Sequence, residues 1–493
     1  MSLKIRLNLS GVIDRVKSAA RKLKEMEANG QHQISDEYTE VYSRLPLWLH
    51  LAYGVGHVLN DVCASMWFTY LLVFFHLVLG FSNWETGFLL LVGQVADALA
   101  TPFVGYHSDQ SDNFAICRYG RRKVWHLLGT VCVLVSFPFI FAPCVGCTDS
   151  SKEAQMFYYS MFIIIFQFGW AAVQISHLSL IPELTPNEHD RTKLTAIRYC
   201  FTVISNLLVY IITWIVLHVD NGENSKIGPG DEAKFQHVVW SVLSLGVVCS
   251  LLFHALVKEA DNGVSNDVRG SRVRTSVREW LTNARVYQVA FIYMSSRLFV
   301  NLTQVFVPLY LHETLDMTAS ALALVPLTMF IGSFVTSLFI EKMTRCCGRK
   351  VTYSVGAAVG IAACVWVKFG RDAGFVAYYV YVVAVLFGFG GSIVLVSSLG
   401  VTTDLIGEKT ESGAFVYGIM SFTDKLANGV AVVIIQDLHG DASNVGYYRD
   451  VLTNVCGGAA LLGAFAVTFL FIRTRARTIS LNYERVPDYS SIN

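Results

Sequence analysis

The feature that most constrains this chain is a series of apolar runs, each of about 20 residues or more, the length a helix needs to cross a hydrocarbon core of about 30 Å. They lie near 47–76, 84–107, 124–142, 156–181, 194–218, 236–257, 286–311, 318–341, 351–369, 374–403, 413–437 and 451–472. No water reaches a backbone N–H or C=O in that core, so such segments must be helices that satisfy their own ladders. The expected fold class is therefore an all-α membrane protein with twelve transmembrane helices. Only 15% of the 493 residues are charged, against about 25% in soluble domains. The net charge of +1 comes with basic residues scattered at the ends of the runs, which speaks against a nucleic-acid partner. The chain has no HExxH pair, no glycine-rich phosphate loop with its lysine and no nucleophile elbow. No catalytic residue, cofactor or metal is expected.

Charge outside the runs sets the topology. With the N-terminus in the cytosol, inner segments receive Arg118, Arg121, Arg122, Lys123, Arg191, Lys193, Arg345, Arg349 and Lys350, among others, whereas outer loops receive few cations. This positive-inside bias predicts that both ends are cytosolic. Residues 1–45 form a basic segment in which Leu9, Val12, Ile13, Val16, Ala20 and Leu23 recur at helical spacing. It reads either as an amphipathic helix on the membrane surface, with lipid as its partner, or as a disordered basic tail. The polar stretch 258–285 reads as a linker between a six-helix bundle at 46–257 and another at 286–472, followed by a tail at 473–493. Cys144 and Cys147 share an outer loop and could pair there, and the isolated cysteines of the runs read as small buried hydrophobes.

The halves echo one another. Gly120-Arg121-Arg122-Lys123 follows the second run and Gly348-Arg349-Lys350 the eighth. Internal repeats of this kind mark alternating-access carriers, whose cargo site lies near the midplane between the repeats. Polar residues inside the runs are the candidates for that site. In the first run Tyr53, His57, Asn60 and Asp61 fall on one helical face. His57 and Asn60 read equally as interhelical glue or as cargo contacts, while Asp61 carries charge. Asp97 lies mid-run, one turn before Thr101, and a carboxylate at that depth costs roughly 2.5–3.5 kcal/mol unless compensated. It is either a cation or proton site or a neutral packing group. Gln174, Arg198, Arg297 with Asn301, and Lys425 complete the set. Two signs of charge suit a zwitterionic cargo in one cavity, with Arg198 or Lys425 on its carboxylate and Asp61 or Asp97 on its ammonium; the same groups could instead neutralise one another. Asp109, Arg121, Arg122, Arg191 and Asp404, near the inner ends, read as gate latches.

Pro102-Phe-Val-Gly105 to Asp109, Gly120-Arg121-Arg122-Lys123, Ile181-Pro-Glu-Leu-Thr185, Arg191, Arg198, Asp404 and Lys425 resemble the major facilitator superfamily and, within it, the glycoside-pentoside-hexuronide:cation symporter branch. Longer runs, Tyr53 to Tyr70, Leu91 to Asp97, His177 to Glu183 and Ser412 to Gly418, resemble a lysosomal and melanosomal group of that superfamily. The resemblance implies the two-times-six major facilitator fold and a carrier that moves cysteine from the cytosol into the organelle lumen, influencing pigmentation. It also implies that Asp61, Arg198 and Lys425 match cargo-site charges of the branch and Asp97 its cation-site acid. Thr101 stands where sodium-coupled members have a second carboxylate, and Gln174 where sugar-binding members have an Asp. A sodium-coupled carrier of another solute or lipid, and a transport-dead scaffold, are the alternatives. Tyr483-Glu-Arg-Val486 and Tyr489-Ser-Ser-Ile492 fit the tyrosine patterns read by cytosolic sorting adaptors.

Overall fold

A computed structural model describes residues 45–110, 119–147, 150–185, 188–221, 226–259, 280, 282–406, 413–439 and 445–469. It contains twelve helices long and apolar enough to span a membrane: α1 (Leu47–Val78), α2 (Asn83–Ser108), α3 (Arg122–Ile140), α4 (Lys152–Ile181), α5 (Lys193–Leu217), α6 (Glu232–Leu256), α7 (Ala284–Thr314), α8 (Ala321–Cys347), α9 (Arg349–Phe369), α10 (Phe375–Ile406), α11 (Val416–His439) and α12 (Tyr447–Phe469). Each coincides with one of the apolar runs. The candidate surface helix near residue 9, the linker from 260 to 279 and the two tyrosine motifs lie outside the described residues.

Large apolar side chains point outward, as they should where lipid replaces water: Phe157 is 70% exposed, Leu251 65% and Phe465 63%. The helices fall by sequence order into two sets of six, α1–α6 and α7–α12. The main contacts between the sets are α2 on α11, α5 on α8 and α1 on α7.

α1 and α7 are 32 and 31 residues long, so at 1.5 Å per residue each is about 45–50 Å long and overshoots the hydrocarbon core. Both end in a π turn, Phe74–Val78 and Tyr310–Thr314. Both turns close by the same pair of bonds: Leu79 N–H to the Phe74 carbonyl and Phe81 N–H to that of Phe75 in one, Leu315 to Tyr310 and Met317 to Leu311 in the other. The residue that reverses each chain has positive φ, Gly80 at 66° and Asp316 at 54°. Asp tolerates that region better than most residues. The repeat is thus written in backbone geometry as well as in the Gly-Arg-Lys clusters.

On the face bearing these turns the two sets are tied together. His76 Nε2 is 3.6 Å from Glu313 Oε1, Asn83 Nδ2 is 3.2 Å from His439 Nδ1, and Lys226 pairs with Asp316. Beneath them Gln304 of α7 donates to the Thr69 hydroxyl at 3.1 Å, and Thr69 bonds the Tyr210 hydroxyl at 2.7 Å. The Lys226 ammonium, by hydrogen bond and then by charge, holds the exposed Asp316 carboxyl below the usual Asp range. A depressed carboxyl favours the paired form above its ordinary pKa and loses that preference only as pH falls through the lower, paired value. This tie should therefore hold between neutral pH and pH of about 5. A cross-link between residues 226 and 316 should form equally well at both; a steep fall at the lower value would contradict it.

On the opposite face, two ion pairs among the described residues lie each inside one set. Arg122 Nε meets Glu183 Oε1 at 2.5 Å and Arg349 Nη1 lies 3.5 Å from Asp404 Oδ1. Glu259, at the start of the linker, accepts from the backbone N–H groups of Arg122 and Lys123 at 3.0–3.2 Å, capping α3 where the helix dipole favours an anion. Gly120 permits this: its φ is 118°, and a Cβ there would sit 2.5 Å from Glu259 Oε2. Arg191 Nε donates to the Thr185 carbonyl at 2.9 Å. The side chains of Asp109 and Arg121 lie outside the described residues. Cys144 and Cys147 are joined as a disulfide. Cys63, Cys364 and Cys456 are buried as expected, but Cys200 is exposed on α5.

Candidate functional site

Between the two sets, at mid-depth, lies a cavity of 230 Å³. That is smaller than the roughly 300–1,000 Å³ of sites for drug-sized ligands, so it suits a small solute. Residues of α1, α5, α7, α8 and α10 line it. Its polar groups include Thr202 and Asn206 from α5, Arg297, Asn301 and Gln304 from α7, and Ser392 from α10; Phe68, Phe299 and Phe330 supply apolar wall. Arg297, Asn301 and Gln304 share one face of α7 by their spacing of four and then three. Among the described residues, Arg297 is the one charged residue of the lining.

The expected meeting of Asp61, Asp97, Arg198 and Lys425 in a single space does not occur; none of the four lines this cavity. They form two separate clusters instead. In the first, His57 Nδ1 is 2.9 Å from Asp61 Oδ1 and Arg198 Nη2 is 2.9 Å from His57 Nε2. Arg198 can only donate, so Nε2 accepts and the His57 proton sits on Nδ1, facing the carboxylate. Thr202 donates to Asp61 Oδ2 at 3.0 Å, and through this hydroxyl the cluster touches the cavity wall. The other members of the α1 stripe turn elsewhere. The Tyr53 hydroxyl donates to the His177 carbonyl at 3.0 Å and its ring stacks on His177 at 4.1 Å, while Asn60 Nδ2 donates to the Trp170 carbonyl at 3.0 Å. Both join α1 to α4. A 3-10 turn at Val55–His57 interrupts α1 just before this cluster. Gln174, half-buried on α4, lies outside the cavity lining.

The second cluster bridges the two sets. Lys425 Nζ on α11 is 2.6 Å from Asp97 Oδ1 on α2 and donates to Thr101 Oγ1 at 2.9 Å. Thr101 in turn donates to Asp97 at 3.1 Å, which closes a triangle. The hydroxyl thus supports both charges. Asp97, Gln94 and Gln167 also line a void of 10 Å³, about the volume of one water, that shares Ala64 and Phe68 with the main cavity. A void with a carboxylate and two side-chain amides in an otherwise apolar wall can admit a water, a proton carrier or a small cation. It holds none of the His and Cys donors of a transition-metal site, and among the described residues no group of three metal-ligating side chains converges.

One charged residue escapes the sequence reading. Asp424, buried on α11 beside Lys425, has Oδ2 3.9 Å from Arg297 Nε and accepts from Asn428 Nδ2 at 2.7 Å through Oδ1. An acid in the middle of an apolar run is the signal that selected Asp97, and it applies equally here.

The description "MFS/sugar transport protein" matches residues 52–451. The chain is 44% identical to the mouse (Mus musculus) protein called major facilitator superfamily domain-containing protein 12, over 87% of this chain and 94% of that one. The human (Homo sapiens) protein of that name is 43% identical over the same shares. Among solved structures, a D-xylose-proton symporter superposes with a TM-score of 0.65 at 14% identity, covering 85% of this chain and 96% of that one. The nucleoside transporter NupG, as a D323A mutant, gives 0.64 at 12%, covering 86% and 100%. These two show the fold alone. The family match and the mouse and human relatives show more: the chain belongs to the MFS/sugar transport protein family of the major facilitator superfamily, in its cation-symporter-like branch, and is a multi-pass membrane transporter.

Proposed function

We propose that this transporter moves cysteine by alternating access from the cytosol into the lumen of lysosomes and melanosomes, with effects on pigmentation. The observation that carries the reading is the small cavity at mid-depth between two repeated halves, roofed on one side by Gln304, Thr69 and Tyr210. The cargo class rests on the resemblance of the Tyr53–Tyr70 and Ser412–Gly418 stretches. The mixed polar and apolar lining and the modest volume support it. Both termini face the cytosol in this reading, where tail tyrosines 483 and 489 would meet sorting adaptors.

Asp97, Thr101 and Lys425 act as the coupling site. With Asp97 ionised the triangle is closed and α2 is held to α11; a proton or small cation on Asp97 competes with Lys425 and loosens that tie. Thr101 in place of a second carboxylate leaves one negative charge there, which favours proton coupling over a sodium cage. His57, Asp61 and Arg198 hold α1 to α5 and shape the cavity wall through Thr202.

Labelled cysteine supplied to sealed vesicles containing the purified full chain tests this. Accumulation above protein-free vesicles by at least about tenfold, responsive to an imposed pH gradient and indifferent to sodium, is expected. Equal counts with and without the protein would remove cysteine as cargo, and a strict sodium requirement would replace the proton.

A further inference from the structure

We infer that Arg297 is the anchor for a carboxylate on the cargo, with Asp424 as its counter-ion while the cavity is empty. The proposal rests on reading the 230 Å³ cavity as the cargo site. Of the cations placed inside the membrane, Arg198 and Lys425 are turned to partners within hydrogen-bond reach, at 2.9 Å and 2.6 Å, and neither lines the cavity. Arg297 lines it, and its side chain is 29% exposed. A guanidinium has five N–H donors. One Arg297 bond is seen, from Nη2 to the Tyr293 hydroxyl at 3.1 Å, and the Tyr293 ring lies 5.3 Å from the guanidinium carbon.

Its Nε is buried without a hydrogen bond, because Asp424 Oδ2 at 3.9 Å is beyond bonding range. The pair therefore compensates charge without consuming the donors. A half-buried cation with most of its donors unused, facing a space with no carboxylate among the described residues of its wall, is arranged to take two oxygens from an incoming carboxylate. Asn301 and Gln304, on the same face of α7, offer amide oxygens to an ammonium group on the same cargo. Arrival of the anion relieves Asp424, whose Oδ1 stays bonded to Asn428. Asp424 and Lys425 are consecutive on α11, so a shift of that helix moves the counter-ion of Arg297 together with the partner of Asp97. Loading of the cavity and state of the coupling site are thereby linked through one rigid element.

The test uses the full-length detergent-solubilised protein and three pairs of probes: cysteine, serine and lactate, each with its carboxamide. The readout is the concentration of each probe that produces the same rise in melting temperature. At least one carboxylate should stabilise the protein at a concentration at least about tenfold below its amide, the discrimination expected of a charged hydrogen bond. Arg297→Gln should bring the members of that pair within about twofold of each other. Should Arg297→Gln not fold, Arg297→Lys keeps the charge, loses the fork, and should retain only part of the preference. Asp424→Asn, which removes the competitor, should strengthen carboxylate binding. Equal shifts from acid and amide, no shift from any probe, or a preference that survives Arg297→Gln would overturn the assignment. Failure of the cysteine reading is a different result: vesicles with the wild-type chain that do not accumulate cysteine, whatever the melting data show.

Discussion

Replacing Asp97 by Asn is expected to cut transport per molecule by at least about tenfold. The substitution keeps size and shape but removes the charge that meets Lys425 at 2.6 Å. Lys425 would keep the Thr101 hydroxyl at 2.9 Å, the Trp170 ring at 5.6 Å from its centroid and at most a neutral amide oxygen at position 97, none of which is an anion, while Asp424 beside it stays engaged with Arg297. Removing one partner of a buried pair costs about 3–5 kcal/mol, because the other charge is stranded. Part of that falls on folding, so abundance must be measured beside flux. The tie between α2 and α11 would also stop responding to pH, since an amide does not titrate in this range. The double variant Asp97→Asn with Lys425→Met removes the stranded charge and should recover abundance without recovering flux. Full flux in the single variant, at normal abundance, would show that the pair is merely structural.

Gly388→Ala is expected to have the largest effect on stability. Gly388 lines the cavity on α10 where that helix crosses α8, and a Cβ there would lie 1.8 Å from the Met329 carbonyl oxygen and 3.0 Å from the Ser333 nitrogen. These are backbone atoms of a packed helix, so no rotamer change relieves the overlap. Overpacking a well-filled site costs typically about 1–3 kcal/mol and more where backbone must move. Little of the protein should remain as a single species on size-exclusion chromatography of solubilised membranes. Gly418→Ala on α11, where a Cβ meets nothing within 4 Å, is the matched control and should behave as wild type. Equal behaviour of the two variants would mean that α8 and α10 are not packed as closely as described.

The spans were readable because hydropathy over about 20 residues is set by the solvent and hardly depends on neighbours. The one boundary that moved furthest shows the limit. Apolar character of α8 ends near 341, yet the helix continues through Glu341, Lys342 and Arg345 to Cys347, because a helix leaving the membrane keeps its backbone ladder in water. Spacing also placed Tyr53, His57, Asn60 and Asp61 on the inner side of α1. It could not give partners, which belong to other helices: two of the four bond α4 carbonyls and the other two reach α5. A shared cavity for all four central charges was expected for the same reason, since sequence counts charges but does not pair them. Asp424 stands next to Lys425 in the sequence, and consecutive opposite charges look self-compensating. On a helix they diverge by about 100°, which follows from 3.6 residues per turn, and here they serve different partners.

In the proposed cycle the two halves rock about the cavity, with the turn-bearing face now closed. Distances between thioether-attached spin labels measure this most directly, one pair at Ser82 and Val445 on the closed face and another at Tyr119 and Cys347 on the opposite face. All four positions are exposed. Changing cysteine concentration and pH across the reconstituted full chain should shift the two distance distributions in opposite senses, one pair separating as the other approaches. Distributions that stay fixed under saturating cysteine at every pH, or that widen together, would contradict alternating access in this protein.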